Sequence, residues 1–322
     1  VTNDRCLWEN FVRINNATTP ELIITMFTPP LDHRRRRMLQ ALVLSPLWFP
    51  LISHSNVPPD LRRIISLEWR PTELLLALGV VPLAVADIPN YHRWVAEPAL
   101  PSTVIDVGHR IEPNIELMQQ LNPSLFLLSK GFGPSAASLS VLAPTMSFSF
   151  NDGSGKPLET ARQAVRDLAE RLGLQAQAQR HLQEFDTLLS ETASRVRGEA
   201  KEPVLLFSLI DSRRALVMGK GSLFDDVLRM MQIENAWQGE TNFWGSSVVG
   251  IERLAEIPHA RALYFDHGDQ LLNVAVRSPL WQVIPFVREN KLQTLPAVWF
   301  YGATLSTMRF CRLLEQALGR GQ

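Results

Sequence analysis

The side chains in this sequence best placed to do chemistry are aromatic, and they gather near the ends of candidate strands. Trp69 ends one apolar segment, and Tyr91-His92-Arg93-Trp94 follows another. Trp244 lies in the loop Gly239–Ser246, and Trp299-Phe300-Tyr301 ends the last apolar segment. In open α/β sheets, ligands bind outside the carboxyl ends of strands, so the set could line one cleft. Taken singly, each ring reads equally well as core. Arg110 follows the segment Thr103–Val107 and Gly108. There a guanidinium would offer a planar fork to anionic or polarised oxygens; a solvated loop arginine is the plainer alternative.

Motifs for other chemistries are missing from the sequence. No G-x-G-x-x-G follows a strand, and Gly153-Ser-Gly-Lys-Pro157 is too short for a phosphate loop. Gly245-Ser-Ser-Val-Val-Gly250 has the wrong spacing for a nucleophile elbow. Cys6 and Cys311 form no C-x-x-C pair, so a zinc ribbon or iron–sulfur cluster has no ligands. His92, His109, His181, His259 and His267 never fall at H-x-H or H-x-x-x-H spacing. Asp266-His267 reads as an ordinary loop pair in preference to a metal ligand or general base. No catalytic constellation stands out, although missing motifs do not exclude an enzyme.

These residues sit in a chain of 322 residues and 36.3 kDa, 46% hydrophobic and 20% charged, whose 32 basic side chains balance 32 acidic ones. That composition excludes a disordered chain and the broad basic footprint of a nucleic-acid binder. Residues 1–55 differ from the rest. Arg34–Arg37 precede a 15-residue apolar stretch, Met38–Ile52, interrupted by Pro46 and Pro50. The stretch is short of the ~20 residues that span a bilayer, and Ser53-His-Ser55 supplies a small-x-small cleavage pattern. The expectation is an export leader, possessing paired arginines of the twin-arginine kind; an uncleaved short anchor is the alternative. Met26 is the expected start, with Val1–Thr25 as a start-site artefact. The chain after residue 55 carries 26 basic and 28 acidic residues and a single thiol, Cys311, which suits an oxidising compartment. The periplasm is the expected destination.

From residue 63 the pattern alternates between strand-like and helix-like segments. Strands are predicted at Arg63–Trp69, Val80–Ala86, Thr103–Val107, Ser124–Leu128 and Thr145–Phe150, with helices at Thr72–Leu78, Pro113–Leu121 and Ser135–Leu142. Such alternation argues for a mainly parallel sheet covered on both faces. Residues 158–197 break it with two amphipathic helices, the second about 34 Å long at 1.5 Å per residue. Alternation resumes with strands Pro203–Ile210, Ala215–Met218, Arg261–Phe265 and Ala297–Phe300 and helices Leu223–Met231, Ile251–Ile257, Pro279–Arg288 and Ala303–Leu318. The fold class expected is therefore α/β, with two lobes joined by a long rigid helix. The divisions are 56–173 for the first lobe, 174–198 for the linking helix and 199–322 for the second lobe.

From about residue 33 onward the chain resembles the periplasmic iron(III)-hydroxamate-binding proteins, of the helical-backbone class (class III) of ABC-importer substrate-binding proteins. The segments that carry the resemblance are Leu67-Glu-Trp69, Glu73-Leu-Leu-Leu-Ala-Leu-Gly79, Val104-Ile-Asp-Val-Gly108, Asn235–Ser246 and Pro296–Ser306. The resemblance implies capture of iron(III)-hydroxamate siderophores such as ferrichrome in the periplasm, and their delivery to an inner-membrane ABC permease. It implies a monomer that is not an enzyme, with no cofactor and no metal ligands of its own, because the siderophore oxygens already fill the iron shell.

The family's hydroxamate-contacting arginine falls on Arg110. Its cleft tryptophans fall on Trp69, Trp94, Trp244 and Trp299, with Phe300 and Tyr301 beside the last, and Leu216, Asn242 and Ser246 at further cleft positions. Two positions depart: Phe132 stands where a hydroxamate-contacting tyrosine is expected, and Leu128 where a tryptophan is. The acidic residues that dock each lobe on the permease fall on Glu116 and Glu252. The linking helix implies modest rearrangement on binding. A same-fold receptor for haem, cobalamin or a catecholate siderophore is the alternative; Arg110 is the only clear cleft cation in the sequence, which counts against the strongly anionic catecholates.

Overall fold

Two five-stranded sheets carry the molecule. The computed structural model describes residues 58–268 and 270–319; the expected leader lies outside the described residues. The first lobe runs β1 (Ile64–Ser66), α1 (Trp69–Ala77), β2 (Ala84–Val85), α2 (Ile88–Trp94), β3 (Ile105–Asp106), α3 (Ile115–Gln120), β4 (Leu125–Ser129), α4 (Ala136–Leu139) and β5 (Thr145–Phe148). Its sheet has the order β3-β2-β1-β4-β5 and is parallel throughout. Apolar clusters cover both faces, as a parallel sheet requires.

Helices α5 (Pro157–Leu172) and α6 (Gln175–Val196) follow. Pro157 opens α5 at its first turn, and Gly173, at φ +73°, ends it in the left-handed conformation that glycine adopts without strain. The 22 residues of α6 span about 33 Å and lead into the second lobe.

That lobe comprises β6 (Val204–Leu209), β7 (Arg214–Met218), α7 (Leu223–Met230), β8 (Ser246–Gly250), β9 (Arg261–Asp266), the short helices α8 (Leu271–Ala275), α9 (Pro279–Gln282) and α10 (Pro285–Arg288), then β10 (Leu292–Pro296) and α11 (Thr304–Leu318). Its sheet order is β10-β9-β6-β7-β8. β10, β9 and β6 run parallel, while β7 and β8 form an antiparallel edge. A large apolar cluster joins the lobes, combining Trp69, Tyr91 and Trp94 with Phe224, Phe265, Trp299 and Phe310.

The described elements correct several predicted ones. The first strand stops at Ser66, so Trp69 begins a helix instead of ending a strand. The cause is Glu68, whose carboxylate accepts the Arg70 N–H at 2.8 Å and caps α1. The last strand lies at Leu292–Pro296, ahead of the predicted Ala297–Phe300. Pro285, which has no N–H to donate, divides the predicted helix Pro279–Arg288 into two. Residues Ile251–Glu256 form a 3₁₀ turn, and β8 is a strand where the sequence predicts no element.

The last helix returns to pack on α6 and α1. Ala303, its N-cap, has no oxygen with which to cap it. Glu73 of α1 supplies one instead: its Oε2 accepts from the N–H groups of Ala303 and Ser306, each at 3.0 Å, and its Oε1 from the Ser306 hydroxyl. Burial pushes the Glu73 carboxyl up from its ordinary range, and these three donors oppose that shift.

Candidate functional site

A narrow crevice opens between the lobes, lined by Glu68, Arg70, Arg110, Ser129 and Phe132 from the first and Trp244, Trp299 and Tyr301 from the second. It is nearly closed, with a cavity volume of about 10 Å³. A larger open groove of about 940 Å³ runs along α5 and α6, but glutamines, Asp186 and Glu191 line much of it, with no aromatic ring. The crevice is the better candidate because it joins convergent polar groups to aromatic walls, which that groove does not.

Arg110 organises the first-lobe wall. It is 8% exposed, and its guanidinium carbon lies 3.5 Å from the Trp69 ring centroid, 4.9 Å from Phe132 and 5.6 Å from Trp299. Nη1 donates to Glu68 Oε1 at 2.9 Å, and Nε faces Asp87 Oδ2 at 3.6 Å. Burial pushes the guanidinium pKa down, while Glu68 and Asp87 oppose the shift. The group stays cationic at neutral pH because an arginine starts so high. The close loop packing needs glycine at Gly133, where φ is +75° and a Cβ would stand 2.9 Å from the Arg110 carbonyl oxygen.

Glu68 is a hub that the sequence reading missed. Besides Arg110 it accepts the Ser129 hydroxyl at 3.0 Å and the Arg70 N–H. Arg70 was missed too. It is 1% exposed, its carbon lies 5.2 Å from the Phe150 ring, and Nη1 donates to the Gly302 carbonyl. The crevice therefore carries two arginines where the sequence suggested one. The signal was present, since residues 68–70 adjoin the recognised Trp69. Read as a strand end running into a turn, however, they showed neither the Glu68 cap nor the network it forms with Arg70 and Arg110.

On the second-lobe wall, Asn242 shapes the loop that presents Trp244. Its Oδ1 accepts from the N–H groups of Trp244 at 2.9 Å and Ser246 at 3.1 Å and from the Ser246 hydroxyl at 3.2 Å. Ser246 Oγ also lies 3.0 Å from the Tyr301 hydroxyl. Trp244 packs 5.1 Å from Phe150 and 5.4 Å from Tyr301, while Trp299 packs 4.8 Å from Trp69 and 5.3 Å from Tyr301.

The structure thus brings Arg110, Phe132, Trp244, Trp299 and Tyr301 to the crevice wall. Trp69 backs Arg110, and Asn242 and Ser246 brace Trp244 and Tyr301. Three candidates lie elsewhere. Phe300 turns to Phe265 at 5.2 Å and Phe224 at 5.8 Å. Leu216 is buried in β7 within the apolar cluster between the lobes. Trp94 does not line the wall but packs 6.5 Å from Trp299 and 4.0 Å from the His267 ring. Leu128 is also buried, in a core cluster of the first lobe.

His267 itself is 4% exposed, and burial brings its pKa down to about 3. It is therefore a neutral ring beside Ser208, whose Oγ is 3.1 Å from Nε2. Among the described residues no cluster of three or more His, Cys, Asp or Glu could hold a metal ion, and no helix is long and apolar enough to cross a membrane. Glu116 and Glu252 are exposed, each in the first turn of its helix.

Comparison with known proteins places this geometry in context. The family described as periplasmic binding protein matches residues 64–298. The chain is 47% identical over 286 residues to the iron(3+)-hydroxamate-binding protein FhuD of Escherichia coli (strain K12), covering 88% of this chain and 96% of that protein. A solved structure of the siderophore-binding protein FhuD from Vibrio cholerae, bound to Fe3+–Desferal, superposes with a TM-score of 0.74 at 25% identity, covering 80% of this chain and 97% of that one. The triscatecholate siderophore-binding protein FeuA of Bacillus subtilis, complexed with ferri-bacillibactin, shares the fold at a TM-score of 0.65 and 15% identity, covering 81% and 93%.

Proposed function

The chain belongs to the periplasmic binding protein family, and from that membership we propose that it captures iron(III)-hydroxamate siderophores of the ferrichrome type. The observation that carries this reading is the buried Arg110 guanidinium, stacked on Trp69 and held by Glu68 at the crevice between the lobes. A preformed iron(III)-hydroxamate chelate offers polarised oxygens around the metal and an apolar periphery. One guanidinium set among Phe132, Trp244, Trp299 and Tyr301 matches both. The iron needs no protein ligand, since the chelator supplies its coordination shell. Resident catalytic groups are not required either: the chain acts as a receptor.

The crevice is far smaller than the ~300–1,000 Å³ of ordinary ligand pockets, so its walls part on binding. The Gly131–Gly133 turn and the Asn242–Gly245 loop, which carry opposing walls, are the segments that move, while α6 keeps the lobes in register. The leader exports the chain to the periplasm, where it acts as a monomer. Glu116 and Glu252 dock one lobe each on an inner-membrane ABC permease, which accepts the cargo.

Equilibrium dialysis against ferrichrome, its iron-free form, haem and cobalamin tests the reading. The expected result is retention of ferrichrome alone. Retention of haem or cobalamin in its place would keep the fold and overturn the ligand. For docking, a Glu116→Ala/Glu252→Ala variant is expected to bind ferrichrome normally and lose uptake; undiminished uptake would contradict that part.

A further inference from the structure

Arg70 has donors that nothing in the crevice accepts. Its Nη1 is taken by the Gly302 carbonyl, but Nε and Nη2 are buried and meet no hydrogen-bond partner. The nearby carboxylates influence Arg70 through their charge without relieving these two groups. Glu68 accepts from Arg110, Ser129 and the Arg70 backbone, and Glu73 accepts from Ala303 and Ser306. Burial brings the Arg70 pKa down to about 10, which leaves the side chain charged at neutral pH. Arg110 also buries an Nε without a hydrogen-bond partner, but Glu68 and Asp87 both lie within salt-bridge distance of it.

Burying the N–H groups of a cation without an acceptor is costly, and such groups call for a specific reason. Nε and Nη2 lie side by side along one edge of the planar guanidinium, the arrangement that engages both oxygens of a carboxylate. That side chain lines the same crevice as Arg110.

Building on the hydroxamate reading, we propose that Arg70 is a second oxyanion-recognising group of this site. It donates through Nε and Nη2 to a carboxylate at the periphery of the bound chelate. The site therefore favours iron(III)-hydroxamate complexes that carry a free carboxylate over neutral or cationic complexes with the same iron-binding core. Arg110 engages the oxygens around the iron, and Arg70 reads what the chelator carries beyond them.

The test is a charge series on one chelating core: the iron(III) complexes of desferrioxamine B, which ends in an ammonium, of its N-acetyl derivative, which is neutral, and of its N-succinyl derivative, which ends in a carboxylate. Affinities are measured for the unaltered protein, Arg70→Leu and Arg70→Gln; the last keeps a donor for the Gly302 carbonyl should the leucine variant fail to fold. The unaltered protein is expected to bind the succinyl complex about tenfold or more tighter than the acetyl complex, the scale of one charged hydrogen bond. In the variants that ratio is expected to fall to about twofold or less, with the acetyl complex still bound, which also shows that they are folded. No preference in the unaltered protein, or the same preference in folded variants, would overturn the role of Arg70. Failure of the unaltered protein to bind any of the three would overturn the hydroxamate reading, and this inference with it.

Discussion

Arg110 and Trp69 are stacked, with the guanidinium carbon 3.5 Å from the indole centroid, while the Trp69 Nε1 donates to the Ala86 carbonyl at 3.1 Å. The ring is thereby anchored from behind, and Glu68 fixes the cation from the side. A lysine would keep the charge but lose both the planar stack and the fork. Arg110→Lys is therefore expected to weaken ferrichrome binding by about 10- to 150-fold, equivalent to about 1.5–3 kcal/mol for a charged hydrogen bond. Titration of both proteins checks this, and equal affinities would contradict it.

Phe132 lies half-buried on the crevice wall, its ring 4.9 Å from the Arg110 guanidinium carbon. A hydroxyl on this ring would add a donor where the ligand oxygens are expected. Phe132→Tyr should tighten hydroxamate binding by about threefold to 100-fold. A dissociation constant unchanged or raised would show that the ring does not face the ligand.

Glu73 makes the last helix depend on the first lobe. With its carboxylate removed, the N–H groups of Ala303 and Ser306 lose their acceptor and Arg70 loses a buried counter-charge. Glu73→Ala is expected to cost about 3–5 kcal/mol of folding stability. Chemical denaturation measures this; a loss below about 1 kcal/mol, the scale of an ordinary cap, would mean that the network contributes little.

Acid should destabilise the fold through His267. Its ordinary pKa is 6.5, and the buried ring takes a proton only near 3. Between those values the unfolded chain binds the extra proton, so this contribution is complete above pH 6.5 and lost as pH falls toward 3. About 2 kcal/mol is lost by pH 5. His181, also lowered by burial, adds in the same direction. His267→Gln should flatten stability between pH 7 and pH 5; an acid response identical to that of the unaltered protein would rule His267 out as its source.

The α/β alternation and the second-lobe wall were legible in the sequence because strands and helices differ in period and strand ends are where open sheets bind ligands. What the sequence hid was direction. Across Trp299-Phe300-Tyr301 the outer rings turn to the crevice and the middle one to the core, a choice set by packing against Phe224 and Phe265. Leu216 went to the core in the same way. Glu68 and Arg70 were obscured by a boundary error of a few residues: a strand running to Trp69 hides that Glu68 caps a helix, in whose first turn Arg70 lines the crevice. β8 was missed because Gly245 and Gly250 frame Ser246-Ser-Val-Val249 like a turn, and its strand character comes from pairing with β7.

The central claim is that the Arg110 crevice binds an iron(III)-hydroxamate. Tryptophan fluorescence tests it most directly, since Trp244 and Trp299 line the crevice and Trp69 stacks on Arg110. Titration with ferrichrome is expected to give saturable quenching, absent with the iron-free chelator and strongly weakened in Arg110→Ala. A flat response to ferrichrome, or quenching of equal affinity in Arg110→Ala, would contradict the account.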